Sequence, residues 1–151
     1  MSDGCESVCR TVLVAEDAEV TCHLITKGLE RLGLKVVCVA SGAGAIDFIS
    51  TNPDIVLLLD YQLPDMTGKQ VVEILNERQI KVPFLVMTGH DDAHLAEEMI
   101  GLGASACLVK NSQFRDLLPQ VMCRILERAG MGPEYAEVEK DCDSARKASL
   151  R

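Results

Sequence analysis

The chain has 151 residues, of which 48% are hydrophobic and only 3% aromatic, and its formal charge is -8. That length suits one domain with a core of Val, Leu, Ile, Ala and Met rather than of rings. The acidic balance argues against a non-specific nucleic-acid or anionic-membrane surface, and no apolar run approaches the roughly 20 residues of a membrane span.

The N-terminus, MSDGCESVCR, has no basic stretch leading into an apolar one, so residues 1–9 are expected to be a tail and not a secretory leader. TVLVA at 11–15 is short and β-branched and predicts the first strand, with Glu16 and Asp17 directly after it. Over 20–32, Val20, Leu24, Leu29 and Leu32 recur at helical spacing, and Gly33 is placed to cap the helix. KVVCVA at 35–40 predicts the second strand. Ser41 then suits the N-cap of a helix over 41–51 whose inner face carries Ala45, Ile46 and Ile49.

DIVLLLD at 54–60 is apolar up to Asp60, as a strand covered on both faces should be. A carboxylate closing such a run is costly unless something compensates it. Thr67 predicts the cap of a helix over 67–78 with Val71, Val72, Ile74 and Leu75. PFLVMT at 83–88 predicts the fourth strand, and Asp91 or Asp92 the cap of a helix over 93–101 that runs into Gly101 and Gly103. ACLVK at 106–110 predicts the fifth strand. Pro119 lacks an N–H and fits only a first turn, so the last helix is expected to start near Asp116 or to kink. From 129 to 151 the chain becomes polar after two glycines and a proline, which predicts a tail or linker.

Seven cysteines form no C-x-x-C pair and have no partnering histidines, so neither a disulfide framework nor a zinc site is expected. Cys22, Cys38, Cys107 and Cys123 fall in apolar segments as small hydrophobes, and Cys5, Cys9 and Cys142 in the tails. Reduced thiols in a cytoplasmic protein are the expectation. His23, His90 and His94 have no matching partners and are expected at the surface.

Strands alternating with helices predict an α/β domain over 10–128: a doubly wound, five-stranded parallel sheet with helices on both faces. In the flavodoxin-like order 2-1-3-4-5, ligands bind beyond the carboxyl ends of the strands, where the order reverses. The strand ends offer Glu16 and Asp17, Asp60, Thr88 and Lys110 to one rim. Clustered carboxylates repel unless a cation joins them, and oxygen ligands alone favour a hard ion such as Mg²⁺.

The blocks VLVAEDAE, VLLLDYQLPDMTG, FLVMTGH and GASACLVK, in this order and spacing, resemble the receiver domain of two-component response regulators. The resemblance implies a phosphorylation-dependent signalling switch in which Asp60 accepts a phosphoryl group from a histidine kinase or phosphotransfer protein. It implies Mg²⁺ held by Glu16, Asp17, Asp60 and the backbone carbonyl of Gln62. Lys110 would neutralise phosphoryl oxygens, and Thr88 would bond one of them and report the modification. Gln62 and His90 would flank the path of the hydrolytic water. The output would be a downstream protein or output domain, with a homodimer through the fourth helix, fifth strand and last helix as one form. No direct nucleic-acid or membrane contact is implied.

Two positions depart from the family pattern. Asn111 follows Lys110 where a proline is usual, so a trans bond is expected there. Cys107 stands where Tyr or Phe is usual. Two other functions remain to be weighed. A Mg²⁺-dependent phosphatase with an aspartyl nucleophile would need a second Asp two residues after Asp60, where this chain has Gln62. A docking scaffold that no longer uses phosphate would not need the intact set of five site residues.

Overall fold

The apolar runs form the expected strands, each within a residue of its expected bounds. β1 (Thr11–Ala15), β2 (Lys35–Val39), β3 (Ile55–Asp60), β4 (Phe84–Thr88) and β5 (Ala106–Val109) make one parallel sheet in the order β2-β1-β3-β4-β5. The helices are α1 (Glu19–Glu30), α2 (Gly42–Thr51), α3 (Gly68–Glu77), α4 (Ala93–Gly101) and α5 (Phe114–Arg128). The computed structural model describes residues 11–128, and the two expected tails lie outside the described residues. No cis peptide bond occurs among the described residues, so Lys110–Asn111 is trans.

Alternation along the strands divides the core into two layers. Val12, Val14, Val56, Leu58 and Met87 face Ile25 and Leu29 of α1 and Val121, Met122 and Ile125 of α5. Leu13, Leu57, Leu59 and Val86 face Ile46 and Ile49 of α2, Val71 and Leu75 of α3 and Met99 of α4. β3 is central and buried along its whole length, including Asp60.

Three helix starts are fixed by side chains that take up orphan N–H groups. Ser41 accepts from Gly44 N, and Asp92 accepts from His94 N and Leu95 N. Thr67 and Gln70 form a reciprocal capping box at α3. Gly33 closes α1 at φ 80, a conformation that favours glycine.

Three expectations need correction. Val20 and Leu24 do not form the inner face of α1: they are 73% and 43% exposed. The inward stripe is Cys22, Ile25, Leu29 and Leu32, spaced by three or four residues, which follows the helical period more closely. The last helix starts at Phe114 and not near Asp116, which leaves Pro119 in its second turn. Proline there removes the donor for the Arg115 carbonyl, and Arg115 is exposed, so water can supply one. Finally, Cys38 is exposed because β2 is an edge strand, whereas Cys123 is buried and Cys22 and Cys107 are partly buried.

Candidate functional site

The reversal of strand order lies between β1 and β3, which run side by side with Ala15 opposite Leu59. β1 passes straight into Glu16, whose N–H donates to Val39 O at 2.9 Å and so extends the ladder by one rung. Glu16 is therefore held at the sheet rim and is only 3% exposed. Its Oε2 accepts from Ala18 N–H at 3.1 Å and its Oε1 from Lys110 Nζ at 2.5 Å. Asp60, 5% exposed, lies 3.2 Å from the same ammonium through Oδ2, and its Oδ1 accepts from Gln62 N–H at 3.3 Å. This is the compensation that a buried terminal carboxylate requires.

Asp17 is exposed and completes the group: one carboxylate oxygen from each of Glu16, Asp17 and Asp60 lies within 4.8 Å of the others. Burial pushes the Glu16 carboxyl up, against the opposing pull of the Lys110 hydrogen bond. For Lys110 burial acts to lower the ammonium, but the bond to Glu16 and the charges of Asp60 and Glu16 outweigh it and push it up. Three carboxylates facing one ammonium leave two negative charges over, which one divalent cation would balance. The cluster offers oxygen donors alone, as a hard ion such as Mg²⁺ prefers.

Backbone contacts hold the surrounding loops. Lys110 N–H donates to Thr88 O at 2.8 Å and Tyr61 N–H to Met87 O at 2.8 Å, which carries the pairing past the strand ends. Gly68 N–H donates to Tyr61 O at 2.7 Å. A Cβ at Gly68 would come within 3.2 Å of Tyr61 Cα and 3.3 Å of Asp60 O, so glycine lets α3 begin against the backbone of the buried carboxylate.

The five expected site residues all line one open cleft of about 660 Å³, together with Gln62 and His90. Glu16, Asp60 and Lys110 are in contact, and Asp17 joins them. Thr88 is not bonded to them: its Oγ1 donates to His90 O at 3.3 Å and accepts from His90 N–H at 3.2 Å. His23, His90 and His94 are exposed as expected, although the latter two line the cleft.

Several contributors were not expected. Asp92, Leu95 and Glu98 close the cleft from α4, and Lys69 Nζ reaches Glu98 Oε2 at 2.7 Å to join α3 to α4. Cys22 Sγ donates to Glu16 O at 3.4 Å. Burial, and after it the neighbouring Cys38 thiol, push the Cys22 thiol up to about 12.

The model of the response regulator receiver domain matches residues 12–122. The chain belongs to this family. The receiver domain is 30% identical over 142 residues to the transcriptional regulatory protein CutR of Streptomyces coelicolor, covering 86% of this chain and 65% of CutR. It is 31% identical over 119 residues to the transcriptional regulatory protein CusR of Escherichia coli, covering 79% of this chain and 52% of CusR. It thus spans less than two thirds of these relatives. Among solved structures, the receiver domain of a protein described as a Luxo repressor from Vibrio parahaemolyticus superposes with a TM-score of 0.75 at 27% identity. That match covers 82% of this chain and 94% of the other. The receiver domain of Francisella response regulator 1452 gives 0.73 at 25% identity, covering 80% and 98%. Membership implies a regulatory domain of phosphorylation-dependent signalling. No helix among the described residues is long and apolar enough to cross a membrane.

Proposed function

We propose that this receiver domain accepts a phosphoryl group on Asp60 from a phosphohistidine of a sensor kinase or phosphotransfer protein, with Mg²⁺ as cofactor. The observation that carries the reading is a buried Asp60 in ion-pair reach of Lys110 and within one carboxylate cluster with Glu16 and Asp17. Glu16, Asp17, Asp60 and the Gln62 carbonyl are the proposed ligands of the ion. When bound, the ion supplies charge neutralisation at the phosphoryl oxygens.

A carboxylate oxygen of Asp60 attacks phosphorus in line while the P–N bond breaks and its electron pair leaves with the imidazole. Lys110 donates from Nζ to a phosphoryl oxygen as charge shifts away from the Asp60 carboxylate. Thr88 turns its hydroxyl from His90 O to another phosphoryl oxygen. Gln62 and His90, at the mouth of the cleft, set the access of hydrolytic water. A phosphatase is disfavoured because Gln62 stands where its general acid would be.

We further infer that the functional unit spans 10–128, with 129–151 as a tail or linker, and works in the cytoplasm. The output is a protein target or output domain, or a homodimer through α4, β5 and α5, where Ile100 is 47% exposed. The test is intact mass after incubation with a small acyl phosphate, with and without Mg²⁺. One acid-labile phosphate is expected with Mg²⁺, and none on Asp60→Asn. Full labelling of that variant would refute the assignment.

A further inference from the structure

Cys22 and Cys38 are 16 positions apart in sequence and lie on α1 and on the edge strand β2, two elements whose facing side chains pack in one layer. Cys38 pairs in register with Val14, whose side chain lies under α1 and α5, and it is two residues from Val36, which packs in that same layer. Alternation therefore turns Cys38 toward α1. The Thr26 hydroxyl lies 3.7 Å from Cys38 Sγ. Cys22 is one helical turn before Thr26 on the same face of α1, and its partly buried side chain packs against the layer that also takes Val36. Cys38 is exposed, so reagents in water reach the pair from the sheet edge.

We propose that Cys22 and Cys38 are a modification site, a thiol pair that a hydroperoxide converts to a disulfide stapling α1 to β2. The Cys38 sulfur attacks one peroxide oxygen, the O–O bond breaks, and Cys38 becomes a sulfenic acid as water leaves. The Cys22 thiol then attacks the Cys38 sulfur and passes its proton to the departing hydroxyl, so the S–S bond forms, the S–O bond breaks and a second water leaves. Two thiols lose two hydrogens and two electrons, and hydrogen peroxide is reduced to two waters. Thr26 is placed to donate to sulfur at Cys38 during the first attack. The Cys22 S–H now given to Glu16 O is lost on oxidation, a link to the carboxylate cluster that exists whatever that cluster binds.

The test uses the full reduced chain, treated with hydrogen peroxide, alkylated and digested with trypsin without reductant. The expected product joins peptide 11–27 to peptide 36–69, and two of the seven thiols escape alkylation. Cys38→Ser, at an exposed position, should fold normally and lose this product, and Cys22→Ser should carry Cys38 to sulfinic acid instead. Sulfinic or sulfonic acid on Cys38 in the unsubstituted chain, with Cys22 still alkylated, would overturn the proposal. So would pairing of either residue with Cys5, Cys9, Cys107 or Cys142.

Discussion

Asp65 belongs to none of the site contacts, yet it ties the loop after β3 to the start of α2. Its Oδ1 accepts from Gly42 N at 2.8 Å and its Oδ2 from Ala43 N at 2.9 Å, so it caps α2 from a different part of the chain. With Ser41 taking Gly44 N, the first turn of α2 has its free donors satisfied, and a negative charge sits at the positive end of the helix. The hydrogen bonds from Ala43 and Gly42 hold the Asp65 carboxyl below its ordinary value. A depressed value gives stability that is present above the unfolded-state value and lost as pH falls through the folded one. Asp65→Asn should therefore lower the urea midpoint at neutral pH, and the deficit should shrink in acid below the carboxylate range. Because Asp65 is exposed, salt should shrink it too. Midpoints measured across pH check this. An unchanged deficit in acid would mean that the charge is not what holds α2.

At the scale of elements, α5 carries the clearest local conflict. Pro119 sits in its second turn, where it forfeits one hydrogen bond to Arg115 O, yet Leu118, Val121 and Met122 around it are buried. Packing of the helix face outweighs the broken bond. Pro119→Ala should restore the donor and raise the unfolding free energy by about 1–3 kcal/mol. Equilibrium urea unfolding measures it, and a loss of stability would show that the proline ring itself packs. The same conflict explains why the start of α5 was hard to read from sequence: proline argued for a start near Asp116, and only the buried face reveals the helix from Phe114. In α1, Val20 and Leu24 obscured the true stripe because a cysteine, Cys22, holds one of its inward places. The strands were legible because uninterrupted apolar runs leave few alternatives. The trans cap by Asp65 was not, since no local spacing links residues 65 and 42.

At the scale of the molecule, the convergence of Glu16, Asp17, Asp60, Thr88 and Lys110 on one cleft was legible because a parallel sheet delivers every strand end to one rim, so topology turns distant sequence positions into neighbours. What sequence could not give is the state of Thr88, which here bonds the loop at His90 and leaves Asp60 to Lys110. For Thr88 to reach a phosphoryl group on Asp60, its hydroxyl must give up its bond to His90 O, which frees the loop at Gly89–His90 to take a second position. A Cβ placed at Gly89 would meet nothing within 4 Å, and glycine itself allows the widest range of backbone dihedrals. The loop leads into α4, which Asp92 caps and which Lys69 joins to α3 through Glu98, so α4 is the element a shift of the loop would reach first. Cys107 on β5 is partly buried and packs with the layer under α2, α3 and α4, but it is too small to sweep out surface as an aromatic ring does. A modification shifts an equilibrium only by its differential interaction with the two states, and under the proposed phosphorylation of Asp60 that difference would run through the Thr88 hydroxyl. Amide exchange with and without phosphorylation should show changed protection over residues 89–101 in the unsubstituted chain. Cys107→Ala should keep that change, whereas Thr88→Ala should take up phosphate fully and lose it. If Cys107→Ala abolished the change while still accepting phosphate, transmission would run through β5 and not through the loop.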